Sequence, residues 1–323
     1  MSDKIQPKLI IHGGAGGHLQ SESGEIVVRE ALHSVVEKVY PMLRDGASAI
    51  DTVIKGCQLL EDEQIFNAGT GSVLQSDGQI RMSAALMDGS KQRFSGVINV
   101  SRVKHPIELA QFLQNDDDRV LSDYGAAELL RELNIPIYDP LVDIRLKEWM
   151  QERYDHFHKQ MAGVVAEHEL TIPHHEDRKG TIGVVALDSQ GKIAAGTSTG
   201  GKGLERIGRV SDSAMPAGNY ADAFAGVSCT GIGEDIMEEC LAAKVVIRVT
   251  DGLSLTDAMK KSITECRDRK RDLGAIAIAK DGTISWGKTS EVLLAAYHNG
   301  EIIGDTLKWS EEGALIGYLP ANR

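Results

Sequence analysis

The sharpest change of texture in this 323-residue chain falls immediately before Thr181, and it constrains the fold more than any other feature. From about Trp149 to Gly180 the sequence is charged and holds His156, His158, His168, His174 and His175, half of its 10 histidines. Then TIGVVALDSQGKIAAGTSTGG, residues 181–201, supplies two apolar runs around Asp188-Ser189-Gln190-Gly191, the local signature of a β-hairpin. The segment 150–180 is expected to be an exposed, flexible linker, and the strand that follows it to be buried. Its histidines lack a patterned ligand set such as HExxH, so no zinc site is expected there.

The rest of the chain alternates between sheet and helix in blocks. KLIIHGGAGG, residues 8–17, reads as a buried strand running into a glycine-rich turn. Apolar residues recur at helical spacing over 27–43 and 47–60, the second stretch following an Asp45-Gly46 turn. The glycine-containing segment 66–90 holds a strand-like IRMSAALMD, residues 80–88, with 96–101 as its neighbour, and helices are expected over 106–113 and 123–133, with Asp116, Asp117 and Asp118 in a solvated turn between them. Beyond the hairpin, 225–231 reads as a strand, 234–249 and 254–266 as helices, 274–287 as a second hairpin and 291–305 as a last pair of short strands. Hairpins outnumber strand-helix-strand crossovers, which predicts an α+β fold of stacked antiparallel sheets covered by helices, a four-layer αββα sandwich.

A net charge of -12 argues against nucleic acid or anionic membrane as a partner, because both are polyanions. The expected partner is a small molecule or dipeptide. The start, MSDKIQPK, lacks a signal-type apolar core and no run reaches membrane-spanning length, which predicts a cytoplasmic protein. Cys57, Cys229, Cys240 and Cys266 are too dispersed for zinc or CxxC chemistry and are expected to be reduced. Neither HGGAGG nor CTGIGE completes GxGxxG, since Leu19 and Ile236 stand where the third glycine belongs. There is no GxxxxGK[ST] phosphate loop either.

The chemistry points back to Thr181. Inside a chain a threonine hydroxyl is a poor nucleophile, but a threonine whose own amino group is free carries its general base with it. An α-amine with a reference pKa of about 7.7–8.0 is partly neutral at physiological pH. Cutting the Gly180–Thr181 bond would therefore create the catalyst, and Gly180 suits the strained geometry such an attack requires.

Thr181 is followed by TSTGG (197–201), GRVSDS (208–213), PAGNYAD (216–222) and VSCTGIGE (227–234), and preceded by IHGGAG and FNAGTG. In this order and spacing the chain resembles the plant-type asparaginase and isoaspartyl peptidase family of N-terminal-nucleophile hydrolases, over about Ile11 to Gly287. The resemblance implies self-cleavage into a subunit of residues 1–180 and one of 181–323, both parts of one folded domain, and a dimer of such heterodimers. It implies hydrolysis of L-asparagine, of β-aspartyl dipeptides, or of both, through an acyl-enzyme. Glycosylasparaginase, the threonine-type processing protease of the same fold, and an uncleaved binding homologue are the alternatives. The first two place an aspartate before the nucleophile, where this chain has Gly180.

Carried over residue by residue, the resemblance makes Thr181 the nucleophile and Thr199 the residue that orients its hydroxyl. Arg209 and Asp212 would hold the substrate's α-carboxylate and α-amino group, the alternative being a plain i,i+3 ion pair on a turn. Thr230 and Gly231 would form the oxyanion hole, with Gly233 beside them and Asn67 at the nucleophile's end of the site. No organic cofactor is implied. A structural sodium would be held by the main-chain carbonyls of Leu60, Glu61, Glu63, Phe66, Ala68 and Thr70. Ser211, Ala214 and Ile232 depart from the glycine, proline and threonine usual in the family, the loop after TSTGG is short, and the chain diverges from Trp286 onward.

Overall fold

The computed structural model describes residues 5–17, 22–154, 180–306 and 315–321. At its centre the expected hairpin forms: β5 (Ile182–Leu187) and β6 (Ile193–Thr199) pair antiparallel, every residue of both buried. Asp188 closes the turn. Its Oδ1 accepts the N–H groups of Gln190 and Lys192 at 2.9 and 3.0 Å, while its Oδ2 accepts from Ala49 at 3.1 Å. A buried carboxylate is thereby satisfied by ordering the hairpin and meeting the first turn of a helix, where backbone donors have no other partner.

β1 (Lys8–Gly16) lies along β5, and β2 (Met82–Asp88) along β6. With β3 (Arg93–Val100), β4 (Val120–Ser122), β11 (Val292–His298) and β12 (Ile303–Asp305) they make an eight-stranded sheet of order β12-β11-β1-β5-β6-β2-β3-β4. A five-stranded sheet runs β13-β10-β9-β8-β7, from β7 (Asn219–Ala221), β8 (Ala225–Gly231), β9 (Leu273–Ala279), β10 (Ile284–Lys288) and β13 (Leu315–Leu319). The sheets meet through Ile10, Val185, Leu187, Ile193 and Ala195 on one side and Ile276 and Ile278 on the other.

The helices cover the outer faces. α1 (Glu22–Arg44) and α2 (Ala49–Asp62) bury Leu32, Val36, Val53, Cys57 and Leu60 against the larger sheet, joined there by α3 (Pro106–Leu113) and α4 (Asp123–Glu132). Ser48 caps α2, its Oγ accepting from the Asp51 N–H at 3.2 Å, a device worth about 1 kcal/mol. α7 (Leu241–Thr250) and α8 (Leu255–Asp268) bury Leu241, Val245, Met259 and Ile263 against the smaller sheet. The fold is α+β.

Three expectations change. The glycines of residues 13–16 are part of β1, not a turn: the strand continues through a bulge between His12 and Ala15, with Gly14 at φ 130° and Gly16 at φ 149°. The helix expected over 234–249 is two, α6 (Gly233–Glu239) and α7, broken at Cys240 in the left-handed conformation (φ 48°, ψ 44°). The start of the expected linker is ordered as the end of α5 (Asp143–Tyr154). Here Arg145, fully buried, donates from Nε to the Gly71 carbonyl at 2.7 Å, and Trp149 donates from Nε1 to the Gln75 carbonyl at 2.9 Å. Residues 155–179 of that linker, with its histidines, lie outside the described residues.

Candidate active site

β5 brings its first residues to the edge where the two sheets open. Thr181 is buried there, and its Oγ1 donates to Thr199 Oγ1 at 3.0 Å. Thr199 also accepts the Gly201 N–H at 3.1 Å, so its oxygen is fully engaged as an acceptor and pulls on the Thr181 hydroxyl proton. Asn67 organises the remainder of this corner. Its N–H donates to the Gly180 carbonyl at 3.0 Å, and its own carbonyl accepts from Gly200 at 2.9 Å. Its side chain accepts from Val73 N–H at 2.9 Å and donates to the Gly201 carbonyl at 2.6 Å. The carbonyl before Thr181 is thus polarised by a backbone donor while the hydroxyl of the residue that follows it is held by Thr199.

Thr230 and Gly231 reach the same level from the facing sheet. A Cβ on Gly226 would lie 3.2 Å from Val185, and one on Gly183 would lie 2.0 Å from Ser228 Oγ, so β8 and β5 advance together two residues at a time. Two residues on from this layer stand Thr181 on the β5 side and Thr230, fully buried, on β8. Gly231 ends the strand at φ 126°, and a Cβ there would lie 2.5 Å from the Leu273 Cα, so no side chain fits.

Arg209, Asp212 and Gly233 form a second, charged corner. A Cβ on Gly233 would lie 2.7 Å from Arg209 Nη2 and 2.8 Å from Asp212 Oδ1. The expected alternative, an ion pair between Arg209 and Asp212, is not formed. Arg209 instead grips Glu234 in a two-pronged pair, Nε to Oε1 at 3.0 Å and Nη2 to Oε2 at 2.9 Å. Burial works against the Glu234 carboxylate, but the Arg209 hydrogen bonds and charge prevail and hold it at about 2. Asp212 goes the other way: burial pushes it up to about 7 against the pull of Arg209, and its Oδ2 has no hydrogen-bond partner. A buried carboxylate with a free oxygen beside an arginine is prepared to receive an ammonium group.

Between β1 and the site lies a group that sequence reasoning missed. His12 is fully buried, with Nε2 3.0 Å from Ser228 Oγ, and Ser228 Oγ is 2.6 Å from Thr197 Oγ1. The signal was available only as a polar residue in an otherwise apolar strand. Glu234 was missed as the partner of Arg209, because no spacing rule joins residues 25 apart in the chain.

In the turn of residues 60–71 the Glu61, Gln64 and Phe66 carbonyls crowd Gly69 and Gly71, where added Cβ atoms would lie 2.4, 2.3 and 2.9 Å from them. Phe66 packs its ring on Gly13, and Thr70 donates its N–H to the Glu61 carbonyl at 2.8 Å. Among the described residues no helix is long and apolar enough to cross a membrane, and no group of three or more His, Cys, Asp or Glu side chains is placed to hold a metal ion.

A hydroxyl held next to a polarised carbonyl, a second hydroxyl and glycine, and a separate charged corner are the parts of a hydrolase of amide bonds. Comparison with known proteins agrees. The chain belongs to the asparaginase family, whose profile matches residues 5–308. It is 67% identical to an isoaspartyl peptidase/L-asparaginase of Nostoc sp. over 99% of this chain and 100% of that one. It is 35% identical to a plant-type L-asparaginase of Pyrococcus abyssi (90% and 95% covered) and 32% identical to the human isoaspartyl peptidase/L-asparaginase (90% and 94% covered).

Proposed function

We propose that this protein cuts its own chain before Thr181 and then uses the freed threonine to hydrolyse L-asparagine and β-aspartyl dipeptides. The observation that carries this reading is the pairing at one peptide: Asn67 N–H on the Gly180 carbonyl at 3.0 Å, and Thr181 Oγ1 on Thr199 at 3.0 Å. In self-cleavage Thr181 Oγ1 attacks the Gly180 carbonyl carbon, and Asn67 N–H stabilises the charge that develops on its oxygen. The C–N bond breaks, the hydroxyl proton ends on the departing nitrogen, and water hydrolyses the resulting ester to a Gly180 carboxylate and a free Thr181 amine.

In turnover that amine takes the hydroxyl proton, and Oγ1 attacks the substrate's side-chain carbonyl. Thr230 and the Gly231 N–H stabilise the oxyanion, while Arg209 and Asp212 hold the α-carboxylate and α-ammonium. The nitrogen leaves with the proton as ammonia or an amino acid. Water then releases aspartate and restores Thr181. The names of the relatives in Nostoc and humans support both substrates.

Helices packed on the outer faces of two facing sheets support the finer reading as well, a four-layer αββα sandwich of the N-terminal-nucleophile type. Residues 1–180 and 181–323 would be its two subunits within one domain, and the assembly a dimer of them. The crowded turn of residues 60–71 would hold a sodium through main-chain oxygens of Leu60, Glu61, Glu63, Phe66, Ala68 and Thr70, two of which, the Glu61 and Phe66 carbonyls, lie close against Gly69 and Gly71. Bound sodium would supply rigidity behind Asn67. No step of the chemistry passes through it.

The deciding experiment incubates purified protein and follows it on a denaturing gel, then measures ammonia release from L-asparagine and cleavage of a β-aspartyl dipeptide. Two fragments, one beginning TIGVV, and turnover of both substrates are expected. A single full-length band with no turnover would remove the basis of the proposal and leave a binding homologue.

A further inference from the structure

The faces that the two sheets turn toward each other change character along their strands. At the turn end they are apolar: Leu187 and Val185 on β5, Ile193 and Ala195 on β6, Ile10 on β1. At the open end they carry Thr181, Thr199 and Thr230. The boundary is a single layer at Gly183, where a Cβ would lie 2.0 Å from Ser228 Oγ and 2.3 Å from His12 Nε2. His12 and Thr197 are the residues paired with Gly183 from its two neighbouring strands. Over the space that glycine leaves, Ser228 reaches from the smaller sheet to both, at 3.0 Å from His12 Nε2 and 2.6 Å from Thr197 Oγ1.

This link differs in kind from the packing beneath it. Apolar contacts set no direction and tolerate sliding, whereas hydrogen bonds fix distance and angle, and more firmly in a water-free interior. All three side chains are fully buried, so none of the bonds is exchanged with water. Burial pushes the His12 imidazole down to about 3, with the nearby Thr181 main-chain carbonyl opposing that shift without offsetting it, so the ring is neutral. Two residues further along each of β5, β6 and β8 stand Thr181, Thr199 and Thr230, the pleat carrying the geometry of one layer into the next.

We propose that His12, Ser228 and Thr197 are positioning residues: together they lock the two sheets in the register that sets the attacking hydroxyl of Thr181 against the hydroxyl of Thr230. This inference rests on the assignment of Thr181 as nucleophile. It gives the histidine of the IHGGAG segment a role that requires no contact with substrate. Arg209 and Asp212 stand outside the network, so disturbing it should change the chemical step and leave head-group binding as it is.

The test uses the full-length chain with His12→Leu, Ser228→Ala, Thr197→Val and the His12→Leu/Ser228→Ala pair. Self-cleavage is timed on a denaturing gel, and kcat and KM for L-asparagine are measured per cleaved chain. Each single variant is expected to slow cleavage and to lower kcat by about tenfold with KM within about twofold, as loss of a transition-state alignment requires. The double variant should be no slower than the worse single one, because both remove the same link. Wild-type kcat per cleaved chain in the folded variants, or losses that multiply in the double variant, would overturn the proposal. Should His12→Leu not fold, Ser228→Ala and the near-isosteric Thr197→Val decide alone. Failure of the Thr181 assignment would look different: the unmodified protein would neither cleave nor turn over.

Discussion

The two corners of the site are built on opposite principles. Around Thr181 every functional group is neutral and buried: the hydroxyls of Thr181, Thr199 and Thr230, in or next to strands of two facing sheets, and the amide of Asn67 on the turn beside them. Around Arg209 the groups are charged, carried on a loop, on the short turn of Asp212–Ala214 and on the first turn of α6. The substrate binding proposed above would explain the division. An amino-acid head group is charged before, during and after the reaction and is best met by permanent charges, while charge at the scissile carbonyl exists only transiently and is best met by dipoles already aimed at it. Rigidity is needed at the first corner and complementary charge at the second.

That contrast is open to test in order of expected effect. Thr181→Ala should abolish self-cleavage and lower turnover by about 10⁴-fold or more, to background; full activity in a variant whose gel shows intact chain would break the comparison outright. Thr199→Val removes the acceptor for the nucleophile's proton and should lower kcat by about 10²-fold with little change in KM, both read from steady-state kinetics on cleaved protein.

Arg209→Ala should show the opposite signature: normal cleavage on the gel, and KM raised by about 10- to 100-fold, the range for losing a charged hydrogen bond. A loss confined to kcat would mean that the charged corner also aligns the reacting atoms. Asp212 supplies a pH test. With its pKa raised to about 7, folding favours the protonated carboxyl, so the stability it contributes is present at low pH and is lost as pH rises through about 7. An ammonium needs the ionised form, so inhibition by the product aspartate should strengthen from pH 5 to about 7 and then level, and Asp212→Asn should flatten that rise. The smallest effect is expected from Glu234→Gln, which loosens the clamp on Arg209 at a half-exposed pair and should shift KM by only about two- to fivefold.

Much of this molecule could be read from its sequence where local chemistry sets the answer. The hairpin of β5 and β6 and its Asp188 turn follow from two apolar runs joined by turn residues, and α2 and α8 from apolar residues at helical spacing; all stand where the pattern puts them. What was not legible depends on partners distant in the chain. Cys240 interrupts a helix with no glycine or proline to announce it, and α5 shows little amphipathic pattern because its buried residues include Arg145 and Glu152. β4, β7 and β13 are too short for periodicity to register, and the glycines of β1 looked like a turn because the Phe66 ring that requires Gly13 lies elsewhere in the sequence. In the site, Thr181, Thr199 and Asn67 are brought together as expected, whereas Glu234 and His12 are recognisable only once the strands are in register.

The order of the larger sheet governs the protein's life history. Strands from before Thr181 and from after it alternate: β12 and β11, then β1, then β5 and β6, then β2, β3 and β4. Neither part can complete this sheet alone, so the proposed cut would wait until both parts have been synthesised and have interleaved. Once cut, the halves would remain threaded through three strand borders and could not diffuse apart without unfolding. Activation by that route would be a record of correct assembly: a misfolded chain would keep its peptide bond and stay inert, and each active molecule would have passed its own inspection.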